Sequence, residues 1–346
     1  MRGALVCALL SLCVIASAQA PPVATASHHR IITTGSATAR VDTPGVTIAP
    51  NGDFLVVYNK AIAGGSTYHT LRRSPDRGLH WEPEILQWDA STPDPTLWTT
   101  PGHRLFVEFG KKNMASVSGA AWAISDDSGR TWGSFSWFDS PANATFFVTN
   151  YLNVGNAVYG AGYQPSSLGD GTTDASLWRS RDDATSWKKV STLRQPGDAS
   201  INETAISRVG KTGLFAISRS ADGKHTYVHL SKDMGQTWSP QLDYTSQVGV
   251  IDDPNLLKIG NVLVLVGRNT SASQLVGLFS RNDGLTFGSG LVLDTYLGGI
   301  DGVAYSALVP LPNHSALIVY STVHGFTEID SLELHVSARE RRHREE

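Results

Sequence analysis

The sequence has 346 residues, with 28 basic and 31 acidic side chains and a formal net charge of −3. This near balance gives no indication of a nucleic-acid or anionic-membrane partner. Its only two cysteines are Cys7 and Cys13. The length is sufficient for a large core or for a closed repeat.

The N-terminus has the pattern of a secretory signal. Met1-Arg2 supplies a positive charge, residues 5–15 are apolar, and Ala18-Gln19-Ala20 is a small-x-small cleavage site. We therefore predict a signal peptide over residues 1–20 and a secreted, extracellular protein. No later stretch is apolar for long enough to cross a bilayer.

Removing the signal peptide removes both cysteines, which excludes disulfides, a cysteine-based metal site and a cysteine nucleophile. We expect a single domain over residues 21–340, followed by a charged tail at 341–346. Four Asn-x-Ser/Thr sequons fit a secreted glycoprotein. They lie at Asn143, Asn202, Asn269 and Asn313.

An octapeptide of the form Ser-x-Asp-x-Gly-x-Thr-Trp recurs along the chain, and each copy follows an alternating strand pattern. The copies are Ser74–Trp81, Ser125–Trp132, Ser180–Trp187, Ser231–Trp238 and the weaker Ser280–Phe287. A sixth strand, Leu332–Val336, leads to Ser337, where the motif has decayed. The spacing of roughly 50 residues is typical of a propeller with one blade per repeat.

Each residue type has a physical role in such a turn. The Asp accepts hydrogen bonds from the backbone N–H groups of the turn. The Gly at the fifth position supplies a positive φ without steric cost. The terminal aromatic residue is expected to begin the next strand and to pack against the blade.

These octapeptides resemble the Asp boxes of the sialidase superfamily, and the resemblance covers nearly all of the mature chain. It implies an all-β fold: a six-bladed β-propeller of four-stranded antiparallel blades with Asp-box turns. In that family the boxes lie away from the active site, so we expect a structural role for them.

The innermost strands of a propeller line its central channel, and ligands bind at one mouth. The strand starts recur in phase with the octapeptides and begin near residues 42, 94, 149, 202, 253 and 305. We therefore predict a ring of polar side chains there. Its members are Asp42, Asp94, Glu203, Asp253 and Tyr305.

Two segments of this ring resemble the sialidase active site. Glu203 is followed by Arg219, at the spacing between the catalytic Glu and an arginine that binds substrate. Tyr305, in a Tyr-Ser pair, resembles the sialidase nucleophile, and Arg268 matches the next arginine. The resemblance implies that Glu203 assists Tyr305 while arginines bind a sugar carboxylate in bidentate fashion.

Other positions depart from the family pattern. Asp42-Thr-Pro44 stands where the family has Arg-Ile-Pro, and Arg40 lies two residues earlier. No acidic residue lies between Tyr58 and Arg73, where the family has its catalytic acid. We therefore choose Asp42 as the candidate general acid and Arg40 as a further substrate-binding residue, together with Asp94 and Asp253.

Three functions remain open. The first is an exo-acting retaining glycosidase that is similar to exo-α-sialidases and cleaves a terminal, acidic sugar with Tyr305 and Glu203. The second is a neutral-glycan exo-hydrolase, similar to exo-arabinanases, that uses two carboxylates. The third is a non-catalytic propeller that binds glycans through arginines and exposed aromatic residues such as Tyr151 or Trp98.

None of these functions requires a cofactor or a metal, and we predict neither. His28-His29 is expected to be part of a solvated tail rather than a ligand pair, because no acidic or histidine partner lies near it in the sequence. The expected partner is a glycan or glycoconjugate substrate, with no nucleic acid, no membrane insertion and a monomeric protein.

Overall fold

The computed structural model describes residues 24–90, 95–112, 118–138, 147–165, 172–296 and 303–337. The predicted signal peptide, the charged tail, Asp94 and Asn143 lie outside these ranges. Within them, no helix is long and apolar enough to cross a membrane.

The chain forms six four-stranded antiparallel sheets, as the octapeptide spacing predicted. Blade 1 consists of β2 (Ala39–Ile48), β3 (Phe54–Ile62), β4 (Thr67–Ser74) and β5 (Leu86–Ala90). Blade 2 consists of β6 (Thr96–Thr99), β7 (Leu105–Lys112), β8 (Ser118–Ser125) and β9 (Ser136–Trp137). Blade 3 consists of β10 (Phe147–Val154), β11 (Ala157–Pro165), β12 (Thr173–Ser180) and β13 (Lys188–Thr192).

The second half repeats the arrangement. Blade 4 consists of β14 (Ile201–Val209), β15 (Gly213–Ser220), β16 (Thr226–Ser231) and β17 (Leu242–Asp243), followed by the short helix α1 (Thr245–Val248). Blade 5 consists of β18 (Asp252–Ile259), β19 (Val262–Asn269), β20 (Gln274–Ser280) and β21 (Leu291–Thr295). Blade 6 consists of β22 (Ser306–Leu311), β23 (Ser315–Val323) and β24 (Thr327–Val336), with β1 (Ala24–Thr34) as its fourth strand.

The ring is closed by β1, which pairs antiparallel with β24 from Ala24↔Val336 to Thr34↔Glu328. His28 and His29 lie within this strand, so the expectation that they belong to a solvated tail is wrong. The N-terminal strand completes the last blade because β24 would otherwise present an unpaired edge.

The octapeptides form the hydrogen bonds that were predicted for the Asp, together with a second set, made by the Ser, that was not predicted. In each of the five copies the serine Oγ accepts the N–H of the fifth residue at 2.7–2.9 Å. The Asp or Asn at the third position accepts the N–H of the seventh at 2.8–2.9 Å. Positive φ occurs at the fourth position as well as the fifth, from 56° at Asp283 to 62° at Arg77.

The terminal aromatic residues lie just before the fourth strands rather than at their starts, so that part of the prediction is wrong. Trp132 precedes the start of β9 at Ser136, and Phe287 precedes the start of β21 at Leu291. Each aromatic side chain packs instead into a hydrophobic cluster between two blades. The described residues contain six such clusters, one at each interface between neighbouring blades.

The antiparallel order of the strands fixes which ends of the blades share a face. Each innermost strand starts at the same face as the turn between the second and third strands of its blade. The octapeptides follow the third strands and therefore lie at the opposite face. We call these the mouth face and the octapeptide face.

Candidate functional site

Bulges interrupt the innermost strands near the mouth face. Each inserts one extra residue, and they lie between the pairs Asp42 and Gly45, Val148 and Asn150, Ile201 and Thr204, and Asp252 and Asn255. A bulge leaves the extra residue unpaired and re-aims its side chain. Glu203 and Asp253 lie inside two of these bulges, and Asp253 has a φ of 47°. The bulges therefore bring the predicted carboxylates to the mouth.

Tyr305 lies just before β22, and its phenolic oxygen is 3.5 Å from Glu203 Oε1. The two residues are 102 positions apart in the sequence and belong to different blades. The N–H of Asp253 donates to Glu203 Oε2 at 2.9 Å, which holds the carboxylate in place. Glu203 is 8% exposed, and Tyr305 is half-buried, so the carboxylate of this pair is the more desolvated group.

The backbone around Tyr305 is fixed by the neighbouring strand β23. The Ala304 N–H donates to the Ser321 carbonyl at 2.7 Å, and the Ser321 N–H donates to the Tyr305 carbonyl at 3.0 Å. Ala304 has a φ of 60°, a conformation that is costly for a residue other than glycine. Such strain persists only where the surroundings determine the backbone, and it is common at functional sites.

Two of the three predicted arginines, Arg219 and Arg268, reach this cluster. Arg268 Cζ lies 4.6 Å from the centre of the Tyr305 ring, and Arg268 Nη1 donates to the Val303 carbonyl at 3.1 Å. Arg219 Nε lies 3.8 Å from Glu203 Oε2. The structure thus brings together four residues that the sequence pointed to: Glu203, Arg219, Arg268 and Tyr305.

Asp252 is a member of this cluster that sequence analysis missed. Arg219 Nε donates to Asp252 Oδ1 at 2.6 Å, and Arg268 Nη2 lies 3.6 Å from Asp252 Oδ2. Asp252 is 4% exposed. It pairs directly with Arg268 across β18 and β19, so the register of that hairpin was the signal that could have identified it.

The charges in the cluster compensate one another. Burial acts to lower the pKa of Arg219, but the charges of Glu203 and Asp252 outweigh it and raise that pKa. Burial likewise acts to lower the pKa of Arg268, and Tyr305, Glu203, Asp253 and Asp252 together raise it. The two guanidinium groups are thus already paired with carboxylates of the protein.

Asp253 joins blade 5 to blade 6 beside the nucleophile candidate. Its Oδ2 accepts the Ser306 N–H at 2.8 Å. The amide of Asn255 donates to the Asp253 carbonyl at 3.1 Å and to the Ser306 carbonyl at 3.0 Å. Asp253 and Asn255 both line the cavity at the mouth. Asp253 therefore fixes the strand that begins immediately after Tyr305.

The remaining candidates lie on blade 1 or outside the described residues. Asp42 Oδ2 forms an ion pair with Arg40 Nε at 2.9 Å, and Asp42 Oδ1 accepts the Thr43 hydroxyl at 3.2 Å. Thr43 lines the mouth cavity. The side chain of Arg40 is 37% exposed. Asp94 precedes the first described residue of blade 2, Pro95.

The cavity at the mouth is lined by aromatic and aliphatic side chains as well as by the polar cluster. It has a volume of about 800 Å³, including the space at its open end. Trp98, Tyr151 and Tyr163 line it together with Glu203 and Tyr305. Tyr151 is only 2% exposed, so the expectation that it is an exposed aromatic is wrong.

The fold is the six-bladed propeller that is found in sialidases and arabinanases. No protein-family model and no curated protein matches the sequence. A Dyadobacter fermentans protein of unknown function aligns with a TM-score of 0.77 and 16% identity, over 91% of this chain and 99% of that chain.

Two glycosidase structures show the same likeness. The Hadza microbial sialidase Hz136 has a TM-score of 0.66 and 16% identity, over 88% of this chain and 66% of its own. An α-L-arabinanase from Penicillium chrysogenum, complexed with arabinobiose, has a TM-score of 0.65 and 14% identity, over 89% of this chain and 98% of its own. At these identities the likeness establishes the fold.

Proposed function

We propose that this protein is a retaining glycoside hydrolase that removes a terminal sugar from a glycan bound at the mouth. The observation that carries the proposal is the 3.5 Å distance between the Tyr305 hydroxyl and Glu203 Oε1 at the cavity. A base within reach of a phenol is the arrangement that a tyrosine nucleophile requires. The occurrence of the same fold in sialidases and arabinanases supports a glycan as the substrate.

In this mechanism Glu203 accepts the phenolic proton while the Tyr305 oxygen attacks the anomeric carbon. Tyrosine has an ordinary pKa of ~10, so it needs such a base near neutral pH. The Arg268 guanidinium, 4.6 Å from the ring centre, stabilises the negative charge that develops on the phenol. The bond to the leaving group breaks as a general acid protonates its oxygen, and water then hydrolyses the tyrosyl-sugar intermediate.

We propose Asp42 as the general acid from its place at the bulge of an innermost strand. Its neighbour Thr43, rather than Asp42 itself, lines the cavity, and the proton transfer requires Asp42 to leave its ion pair with Arg40. Protonation by a general acid accelerates cleavage most when the leaving group would be an unstable anion without the proton. Asp42→Asn is therefore expected to slow cleavage of a natural glycan far more than cleavage of an aryl glycoside with an acidic phenol. An equal effect on both substrates would exclude Asp42 as the proton donor.

A two-carboxylate reaction on a neutral glycan is the second candidate, and Asp252 is the observation that favours it. A sugar carboxylate would need Arg219 and Arg268, yet Asp252 lies 2.6 Å from Arg219 and 3.6 Å from Arg268. An acidic sugar must therefore compete with Asp252, whereas a neutral sugar leaves these ion pairs intact. In this reaction Glu203 itself is the nucleophile.

Kinetics on three substrates separate the candidates: an aryl sialoside, an aryl arabinofuranoside and debranched arabinan. If Tyr305 is the nucleophile, Tyr305→Phe and Glu203→Gln each lower kcat by about 10³-fold or more. If Glu203 is the nucleophile, only Glu203→Gln does so, and Tyr305→Phe retains activity within about tenfold. Tyr244→Phe, at a buried tyrosine of blade 4, is the matched control.

Two outcomes would contradict the proposal. Full activity of Glu203→Gln would exclude both mechanisms. Binding of glycans by the wild-type protein without release of sugar from any of the three substrates would instead support a glycan-binding propeller.

We also propose that the protein is secreted, on the strength of the N-terminal sequence pattern. Expression in a secretory host tests this: the protein in the medium is expected to begin at residue 21. An intact N-terminus or retention in the cell would contradict it.

A further inference from the structure

A second group of chemically active side chains lies on the mouth face of blade 6, away from Tyr305. It comprises His324, Glu328 and Asp330, at and after the turn between β23 and β24. One nitrogen or oxygen atom from each residue lies within 4.8 Å of the others. The octapeptide repeat and the proposed reaction give these residues no role.

Strand register brings the three residues together. Glu328 pairs with Thr322 and Asp330 pairs with Tyr320, so both acidic residues lie on one face of β24. Tyr320, Thr322 and His324 are alternate residues, and alternate residues of a strand lie on the same face. His324, in the turn after β23, therefore lies on the same face as the two acidic residues. Asp294, at the end of blade 5, closes the group by accepting the Thr322 hydroxyl at 2.9 Å.

Asp330 is the residue that indicates a ligand. It is 6% exposed, and its Oδ1 has no hydrogen-bond partner among the described residues. A buried carboxylate oxygen without a partner is costly, and such groups are normally paired with a cation or bound to a metal.

His324 has the surroundings of a metal-binding imidazole. Its Nδ1 lies 3.4 Å from Glu328 Oε2, and its Nε2 lies 3.6 Å from Asp294 Oδ1. Metal-binding histidines commonly direct their second ring nitrogen at a carboxylate, which fixes the tautomer and the ring orientation. Asp294 is in position to do this and is itself held by Thr322.

We propose that His324, Glu328 and Asp330 bind a zinc ion, oriented by Asp294. Zinc accepts one imidazole and two carboxylates, with water as the fourth ligand, in a tetrahedral site. Bond lengths of ~2.0–2.2 Å in such a site separate neighbouring ligand atoms by roughly 3.3 Å. The Nδ1–Oε2 distance of 3.4 Å already matches that separation. Calcium would require about six to eight oxygen ligands, and imidazole is not among those it prefers.

The site has a direct structural connection to Tyr305. The hairpin that carries the three ligands includes Ser321, whose N–H donates to the Tyr305 carbonyl. Zinc would hold the two strands of this hairpin together at its turn. It would therefore brace the segment that positions Tyr305 without contacting a substrate. Zinc binding is measured directly on the protein, so its failure is distinguishable from failure of the proposed hydrolase activity.

Binding is tested on the full-length protein after treatment with EDTA. Isothermal titration with Zn²⁺ in a competing chelator, together with elemental analysis, is expected to give one zinc per chain. The melting temperature should rise by several degrees at saturating zinc. His324→Ala and Asp330→Asn are expected to weaken zinc binding by at least 100-fold, and Asp294→Asn by roughly 10- to 100-fold.

His225→Ala is the matched control. The side chains of His225 and His324 are 42% and 49% exposed, and His225 Nδ1 also lies near one carboxylate, 3.0 Å from Asp243. This variant should bind zinc as the wild-type protein does. His324 is exposed, so its replacement tests binding even if Asp330→Asn fails to fold. Less than one bound zinc per chain, undiminished binding by His324→Ala, or preference for Ca²⁺ over Zn²⁺ would overturn the proposal.

Discussion

The two faces of the propeller are built by different interactions. On the octapeptide face, each turn is held by hydrogen bonds between residues two to four positions apart, repeated in successive blades. On the mouth face, the bonds that Glu203 and Asp252 accept come from residues that are 33 to 102 positions away. The first face is periodic and local, whereas the second has a different set of side chains in each blade.

This difference shows how one fold can separate stability from chemistry. The octapeptide turns join the third and fourth strands of five blades by one repeated arrangement. Bulges at the other ends of the innermost strands break the regular pairing and turn individual side chains toward the channel. The mouth can therefore vary while the octapeptide face preserves the ring.

The largest change in the free energy of unfolding is expected for an ion pair on the mouth face. An ion pair on the octapeptide face serves as the comparison. Asp252→Ala should lower the free energy of unfolding by about 3 kcal/mol or more, because it leaves Arg219 and Arg268 without their buried partner. Asp126→Ala, which removes the 72% exposed partner of Arg104, should cost less than about 1 kcal/mol. Urea denaturation of both variants measures the difference, and equal losses would remove the distinction between the faces.

A smaller loss of stability is expected from a substitution within an octapeptide turn. Gly78 has a φ of 84°, and a Cβ there would meet no atom closer than 3.8 Å. Gly78→Ala therefore isolates the cost of the left-handed backbone, which should be about 1–2 kcal/mol. Blade 3 already has Ala184 at this position with a φ of 65°, so Ala184→Gly serves as the reverse control. Unchanged stability of Gly78→Ala would show that the turn does not need glycine.

The smallest change in stability is expected for Asp233, and it depends on pH. The hydrogen bonds from Thr237 lower the pKa of Asp233 to about 2, below its ordinary value near 4. A carboxylate with a depressed pKa stabilises the fold above pH 4, and this contribution is lost as the pH falls toward 2. Asp233→Asn should therefore melt below the wild-type protein at pH 6, with a difference that disappears near pH 2.

Blade 5 supplies the comparison for this variant, because Asn282 accepts the Thr286 N–H at 2.9 Å and cannot ionise. Asn282→Asp should show the opposite trend and melt above the wild-type protein at pH 6 only. Thermal melts across this pH range measure both variants. A difference in melting temperature that does not change with pH would contradict a lowered pKa of Asp233.

The octapeptide face could be predicted from the sequence because its determinants are local. Each turn contains its own Ser, its own Asp or Asn and, in four of the five copies, its own Gly, so that each copy could be recognised separately. The pairing of β1 with β24 was not predictable in this way. No octapeptide lies near Ala24–Thr34, and its partner strand is some 300 residues away.

The mouth was predicted where a motif or the phase of the strand starts marked it, and Asp253 was found from that phase alone. Glu203, Arg219, Arg268 and Tyr305 were found through the resemblance of their segments to sialidases. Asp252 was missed because its role depends on the register of β18 and β19 and on the bulge that follows it. The group at His324 was likewise missed, since strand pairing across a turn brings its members together.

The central claim is that Tyr305, assisted by Glu203, forms a covalent bond to the sugar. The most direct test is to trap that intermediate with a fluorinated analogue of whichever aryl glycoside is hydrolysed and to map the adduct by peptide mass spectrometry. We expect one sugar per chain, attached to Tyr305, and no adduct in Tyr305→Phe. An adduct on Glu203, or turnover by Tyr305→Phe at the wild-type rate, would contradict it.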